Sequence, residues 1–402
     1  MRNVSPRRFL LEPLSSTACR RRCGSRSSAS PWCRRKAEMR NKGLYERHER
    51  FLPVVGGSGP IDLGQGATPL VRSVSIGPKA GLPELYFKLE NLNPTGSYKD
   101  RFAGIAIGMA RAAGVDRCIA TSSGNTGAAL AAFCAAADME CSLYVSENAP
   151  AGKLEQMLAY GANVYRVKDF TIDAAESARI TEALSAGAAS RGIQIFITAY
   201  ARSPVPMAGI KTIAYELAND LDGIDDVFVP VGGGGLYVAI AKGFADLHGE
   251  AALAQMPRLH AVQPEGNDTV VTPLRAGAAA ARPVSTSTTI SGLGVGFVLD
   301  GDDVIATARE TGGSGYIVDE TEVLSLQRRL AQEEGILVEP AGAVSVLGAL
   351  EALRRGELQP GSRTVCILTG HGFKDPVSVR NMGSVPGVRA ITRADIEASF
   401  GD

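Results

Sequence analysis

From about residue 115 to residue 372 one pattern recurs: a short apolar run, a loop of small polar residues, then a stretch of helical length. DRCIA (116–120) leads through TSSGNTG into AALAAFCAAAD. DDVFVPV (225–231) leads through four glycines into LYVAIAKGF. RTVCIL (363–368) ends in TGHG. Strands that alternate with helices in this way build an α/β fold of mostly parallel, twisted sheets, because each crossover helix covers a sheet face. Segments 82–91, 140–150, 163–169, 193–200 and 258–266 read as further strands, and AGAAAARPVSTSTT (276–289) as a surface excursion. A chain of 402 residues is long enough for two such domains with a cleft between them.

Ligands of parallel α/β folds bind beyond the carboxyl ends of the strands. Four loops at such places carry chemistry. The first is NPTGSYKDR (93–101), which opens a helix whose apolar residues Phe102, Ile105, Ala106, Met109 and Ala113 fall at helical spacing. Thr95 or Ser97 is the expected cap. Lys99 then sits in the first turn, where the positive end of the helix dipole disfavours an ammonium and favours a nucleophilic amine. A P-loop lysine is excluded, because G-x-x-x-x-G-K-[ST] is absent. A Schiff base with a carbonyl compound such as pyridoxal phosphate (PLP) is the other chemical use, and a surface lysine at a helix cap is the plain alternative that the rest of the chain must decide.

The second loop, TSSGNTG (121–127), points hydroxyls and backbone N–H groups at one spot and suits a carboxylate. Ser122, Ser123 and Thr126 are its candidates, with Asn125 able to reach a phenolic oxygen. In the third, Gly232, Gly233, Gly234 and Gly235 precede a helix and form a backbone cradle for phosphate. It is not the dinucleotide fingerprint, since Tyr237 takes the last glycine position. In the fourth, Thr369 ends a buried strand and is a partner for a pyridine nitrogen; His371 reads as structural. An amine nucleophile, a phosphate cradle, a ring-nitrogen partner and a carboxylate pocket together are what PLP needs to act on an amino acid.

These motifs resemble those of the PLP-dependent enzymes of fold type II, and most of all the threonine synthases. The likeness runs from GLYERHERFLPV (43–54) through LGQGATPL, KLENLNPTGSYKDR and SSGNTGAALA to LTGHGFKDP (368–376). It implies that Lys99 carries PLP, that Asn125 and the glycine loop hold it, and that Thr369 faces its ring nitrogen. It implies conversion of O-phosphohomoserine to threonine, with serine/threonine dehydration or β-replacement on an activated serine as the alternative. A neutral threonine at the ring nitrogen is expected to favour prompt loss of a leaving group. A non-catalytic PLP-binding protein is the reading from another class. Gln65 stands where a glutamate is usual. The glycine loop is more like that of threonine and serine dehydratases. Tyr200, Ala201 and Pro206 replace the family's substrate-phosphate anchors, for which Arg202 or Lys211 would have to substitute.

The expected division is a large domain of residues 43–97 and 196–388, a small domain of 98–195, a disordered basic tail (1–42) and a C-terminal extension (389–402). Residues 1–45 hold 12 of the 42 basic and 2 of the 42 acidic residues, so the body is mildly acidic and offers no face for nucleic acid. The tail is Arg- and Ser-rich like a transit peptide, but Ala, Gly and Arg abound throughout the chain. An over-extended start, with Met39 as initiator, or a free arm is expected, and with it a cytoplasmic enzyme. No apolar run approaches the ~18–20 residues of a membrane span. The seven cysteines lack C-x-x-C spacing and the four histidines are scattered, so no metal site is expected. The family resemblance implies a homodimer.

Overall fold

The structure, a computed structural model, describes residues 42–57, 59–149, 151–170, 174–193, 195–382 and 390–399. Apart from Lys42, the tail lies outside the described residues. Of the C-terminal extension, 390–399 are described and include the helix Arg393–Ser399.

Among the described residues nine strands follow in chain order: β1 (Leu70–Arg72), β2 (Leu85–Lys88), β3 (Arg117–Ala120), β4 (Glu140–Ser146), β5 (Asn163–Val167), β6 (Asp226–Pro230), β7 (Arg258–Pro264), β8 (Gly315–Val318) and β9 (Thr364–Ile367). Six form one sheet in the order β1-β2-β9-β6-β7-β8, and three form a second in the order β3-β4-β5. Only the β1–β2 pair is antiparallel; β2 runs parallel to β9 with Phe87 opposite Cys366, and β9 parallel to β6 with Val365 opposite Val227. All five residues of β6 are buried, as a strand covered on both faces requires. The three-stranded sheet and the helices Lys99–Ala112, Asn125–Ala136, Ala151–Ala159 and Ala174–Ala189 fall within residues 98–195. Segment 276–289 contains neither helix nor strand and is largely exposed.

One expected strand is absent. Among the described residues of 193–200, Ile195 makes the one bridge, to Ile119, and the chain then turns. The N–H groups of Tyr200 and Ala201 donate to the Asp300 carboxylate at 2.8 and 2.9 Å, and so leave the ladder. Sequence alternation reports one buried face, not what pairs the backbone, and here a carboxylate rather than a neighbouring strand satisfies the backbone.

Spacing also concealed a grouping of thiols. Cys118 on β3, Cys134 on the Asn125–Ala136 helix and Cys141 on β4 are buried, with their Sγ atoms within 4.8 Å of one another. Their surroundings are the alanines and leucines of the core. As thiols the three pack as small apolar groups.

His48 gives this fold a pH dependence. Its ring is buried, with its centroid 5.1 Å from that of Tyr215. Burial pushes the imidazole from 6.5 down to about 4, despite the opposing pull of Glu216. The folded state thus refuses a proton that the unfolded chain accepts below about pH 6.5. Stability from this group is complete above that pH and is lost as pH falls toward about 4, by at most about 3 kcal/mol. Urea midpoints across this window should fall more steeply for the wild type than for His48→Gln.

Candidate active site

The carboxyl ends of β2, β3, β6 and β9 converge on one cleft of about 1040 Å³. All four motif loops line it: Thr95, Gly96 and Lys99; Thr121 to Thr126; Gly232 to Gly235; and Thr369 with His371. Segments more than 270 residues apart are laced together. Tyr98 N–H donates to Thr369 O at 3.1 Å, His371 N–H to Gly96 O at 2.9 Å, and Ser97 bridges Gly370.

Lys99 is the first residue of its helix, and its Nζ donates to Thr198 Oγ1 at 3.1 Å. It also lies over the Tyr98 ring, 4.5 Å from the centroid. The expected cap is inverted. Tyr98 occupies the cap position without a side-chain bond. Thr95 instead gives both its N–H and its hydroxyl to Asp100, at 2.7 and 2.5 Å. Burial pushes the Asp100 carboxyl up to about 6 against those two bonds.

Beneath Lys99 lies a sealed ionic network. The Arg101 guanidinium meets Glu90 (2.7 Å to each oxygen) and Glu216 (2.8 Å to each). It also donates to Thr212 Oγ1 at 2.8 Å. Lys88 Nζ reaches Glu216 at 2.7 Å and Thr68 O at 2.7 Å. Lys88, Arg101 and Glu90 have no exposed surface, and Glu216 has 5%. Two cations face two buried carboxylates, with Asp220 a further 3.6 Å partner of Lys88 at the edge, and every guanidinium N–H direction is used, which is what lets such charges stay buried. The network fastens the start of the Lys99 helix to β2 and to the helix Thr212–Asp220.

The four glycines are needed for different reasons. A Cβ on Gly232 would stand 2.4 Å from Gly292 O, and one on Gly235 2.7 Å from Met207 Cε. Gly234 has φ +88°, a left-handed conformation that glycine adopts freely. These three answer to the protein itself. At Gly233 a Cβ would meet nothing within 4 Å, so that position alone faces open cleft. The helix Gly235–Gly249 begins there and turns its free N–H groups and positive dipole end toward the same space.

In the small polar loop, Ser122 Oγ accepts from Gly124 N–H at 3.3 Å. Thr126 Oγ1 lies 3.4 Å from Thr198 Oγ1, and Ser123 lines the cleft. Asn125 Nδ2 donates to both oxygens of Glu339, at 3.1 Å each. Thr369 Oγ1 donates to Glu339 Oε1 at 3.2 Å. His371 Nδ1 accepts from Phe373 N–H at 3.3 Å, in keeping with a structural role. Thr198 and Glu339 were missed in the sequence. Glu339 had a legible signal: an acid just before Pro340, which opens the helix Pro340–Arg354 on the cleft side.

Neither cation proposed as a substitute phosphate anchor lines the cleft. Arg202 is exposed. Lys211 is bound to Asp246 at 2.5 Å and Phe51 O at 3.2 Å. Among the described residues, the basic side chains lining the cleft are Lys99, Lys153, Lys374 and His371, and no arginine joins them.

An amine at a helix start, a helix N-terminus behind a glycine open to the cleft, and hydroxyls and amides around the remaining walls suit PLP. Residues 61–370 match the family described as "Pyridoxal-phosphate dependent enzyme", and the chain belongs to that family. PLP is its cofactor. The chain is 34% identical over 347 residues to a threonine synthase of Methanocaldococcus jannaschii, covering 85% of this chain and 83% of the relative. It is 32% identical over 374 residues to a threonine synthase of a Synechocystis species, covering 92% and 93%. Among solved structures, maize serine racemase superposes with a TM-score of 0.67 at 23% identity, covering 78% of this chain and 91% of that one. Threonine deaminase isoform 2 from Solanum lycopersicum also gives 0.67, at 20% identity, covering 91% and 95%. These similarities assign the fold, type II of the PLP enzymes.

Proposed function

We propose that this chain is a PLP-dependent lyase that converts O-phosphohomoserine to threonine and inorganic phosphate. The observation that carries this reading is the identity with threonine synthases, 31–34% over 83–92% of the chain. When bound, the cofactor supplies an electron sink for the bond broken at the substrate Cα. In this reading Lys99 tethers the cofactor and, once displaced, takes the Cα proton at Nζ. Thr198 Oγ1 orients that amine. Gly232, Gly233, Gly234 and Gly235 cradle the cofactor phosphate, Asn125 holds its phenolic oxygen and Thr369 faces its ring nitrogen. Ser122, Ser123 and Thr126 receive the substrate carboxylate. The division into a large domain (43–97 and 196–388) and a small one (98–195) fits this assignment, with the cofactor between them. A cytoplasmic homodimer is the setting the reading implies.

One observation favours a second reading. A phosphate dianion without a guanidinium lacks a bidentate, charge-assisted anchor, and the cleft lining described here contains no arginine. That suits elimination or replacement on serine, threonine or an activated serine. The deciding experiment incubates the PLP-loaded enzyme with O-phosphohomoserine and follows threonine and phosphate together. Equal release of both supports the first reading. Release of neither, with the cofactor spectrum intact, rejects it, and oxo-acid formation from serine or threonine then supports the second.

A further inference from the structure

Glu339 is the one carboxylate that joins two of the proposed cofactor-holding residues. It is 7% exposed and lines the cleft. Its Oε1 accepts the Thr369 hydroxyl at 3.2 Å, and both its oxygens accept Asn125 Nδ2 at 3.1 Å. Its backbone N–H donates to Gly370 O at 2.9 Å, which fixes it beside the end of β9. A Cβ on Gly370 would stand 2.3 Å from Oε1, so the glycine after Thr369 leaves the space this carboxyl fills.

The hydroxyl of Thr369 carries one proton. While that proton points at Glu339, the oxygen offers only lone pairs to whatever lies on its other side. A ring nitrogen there can bond to it only by bringing its own proton. We propose that Glu339 is a positioning residue that shares one proton with the cofactor ring nitrogen through the Thr369 hydroxyl. In one arrangement the nitrogen holds a proton and donates to Oγ1, while the hydroxyl donates to a Glu339 carboxylate. In the other, the hydroxyl proton has passed to Glu339 and the nitrogen's proton to Oγ1. Glu339 then donates to Thr369, and Thr369 donates to a bare nitrogen. Each arrangement holds the same two protons and the same net charge.

The surroundings pull on the Glu339 carboxyl in opposing senses. Burial raises the Glu339 carboxyl above its ordinary value and Asp375 adds to that. Asn125, Thr369 and the nearby Lys374 ammonium oppose it. The consequence reverses the expectation that a threonine leaves the ring a weak electron sink. With a carboxylate behind it, the hydroxyl supports a protonated ring, as an acid placed directly at the nitrogen would.

The inference rests on the proposed placement of Thr369 at the ring nitrogen, and the test separates the two. The enzyme is loaded with PLP carrying ¹⁵N in the ring, and the ¹⁵N resonance is read at neutral pH against free cofactor in acid and in base. The wild type is expected between the two limits or at the protonated one. Glu339→Gln and Thr369→Val should both move it to the unprotonated limit at full occupancy, and Thr369→Ser should restore the wild-type position. If Thr369→Val leaves the signal unmoved, the placement of Thr369 is wrong. If Thr369→Val moves it and Glu339→Gln does not, the shared proton is refuted while the placement stands. Should Glu339→Gln not fold, Glu339→Asp, which draws the carboxyl back by one methylene, reads the same shift. A wild-type signal at the unprotonated limit also overturns the proposal.

Discussion

Replacing Lys99 by alanine should leave a folded protein that no longer holds its cofactor covalently and turns over substrate at least roughly 10²–10⁴-fold more slowly, from loss of the base alone. Borohydride treatment of the loaded wild type should fix the cofactor to one peptide, the one containing Lys99, and should fix none in the variant. The cleft contains two rival amines, which makes this measurement discriminating. Lys374 is occupied with Gln156 Oε1 at 2.7 Å and is mostly buried, and Lys153 stands on the helix Ala151–Ala159. Lys153 too stands in the first turn of its helix, and what distinguishes Lys99 is the Thr198 hydroxyl at 3.1 Å from its Nζ. Recovery of the label on Lys153 or Lys374 would reject the assignment. The fold should survive because the helix is held by Arg101, Asp100 and its apolar face rather than by Lys99.

The Arg101→Met variant should be among the least stable single substitutions in this chain, by about 3–5 kcal/mol, because it strands two buried carboxylates. Glu90 and Glu216 would keep Thr68, Asn93 and Lys88 as partners but lose the only guanidinium that spans them. A lowered urea midpoint is the direct readout. A second follows from position: Arg101 lies two residues beyond Lys99, so cofactor affinity should fall even below the unfolding transition. Loss of less than about 1 kcal/mol would mean that the network's desolvation nearly cancels its attraction, as buried ion pairs can. Glu216→Gln, which retains hydrogen bonds and removes charge, should be milder.

Much of this architecture was readable from residues, for a physical reason. Parallel strands buried on both faces need long apolar runs, and VFVPV and TVCIL can hardly be anything else. The loops at their carboxyl ends stood out by their unusual residues, and the structure brings all four to one cleft. Three things were not. Segment 193–200 has strand alternation, but its backbone is satisfied by Asp300, 100 positions from Tyr200. The Lys88–Glu90–Arg101–Glu216 network looked like ordinary charge scattered through apolar segments, since only tertiary placement makes it sealed. Glu339 stood out only as an acid before Pro340, because its role depends on Thr369 and Asn125, 30 and 214 positions away.

The lacing of residues 96–98 to 369–371 has a consequence for how such an enzyme changes over generations. It makes Lys99 and Thr369, the proposed tethering amine and ring-nitrogen partner, a single mechanical part, riveted to the six-stranded sheet and backed by the Arg101 network. The loop 121–126 belongs to the other sheet and joins that part through side chains, Thr126 to Thr198 and Asn125 to Glu339. On the proposed roles, substitutions in that wall can retune which amino acid is admitted while the grip on the cofactor is inherited unchanged. One cofactor-holding chassis can thus be handed down through descendants of differing appetite.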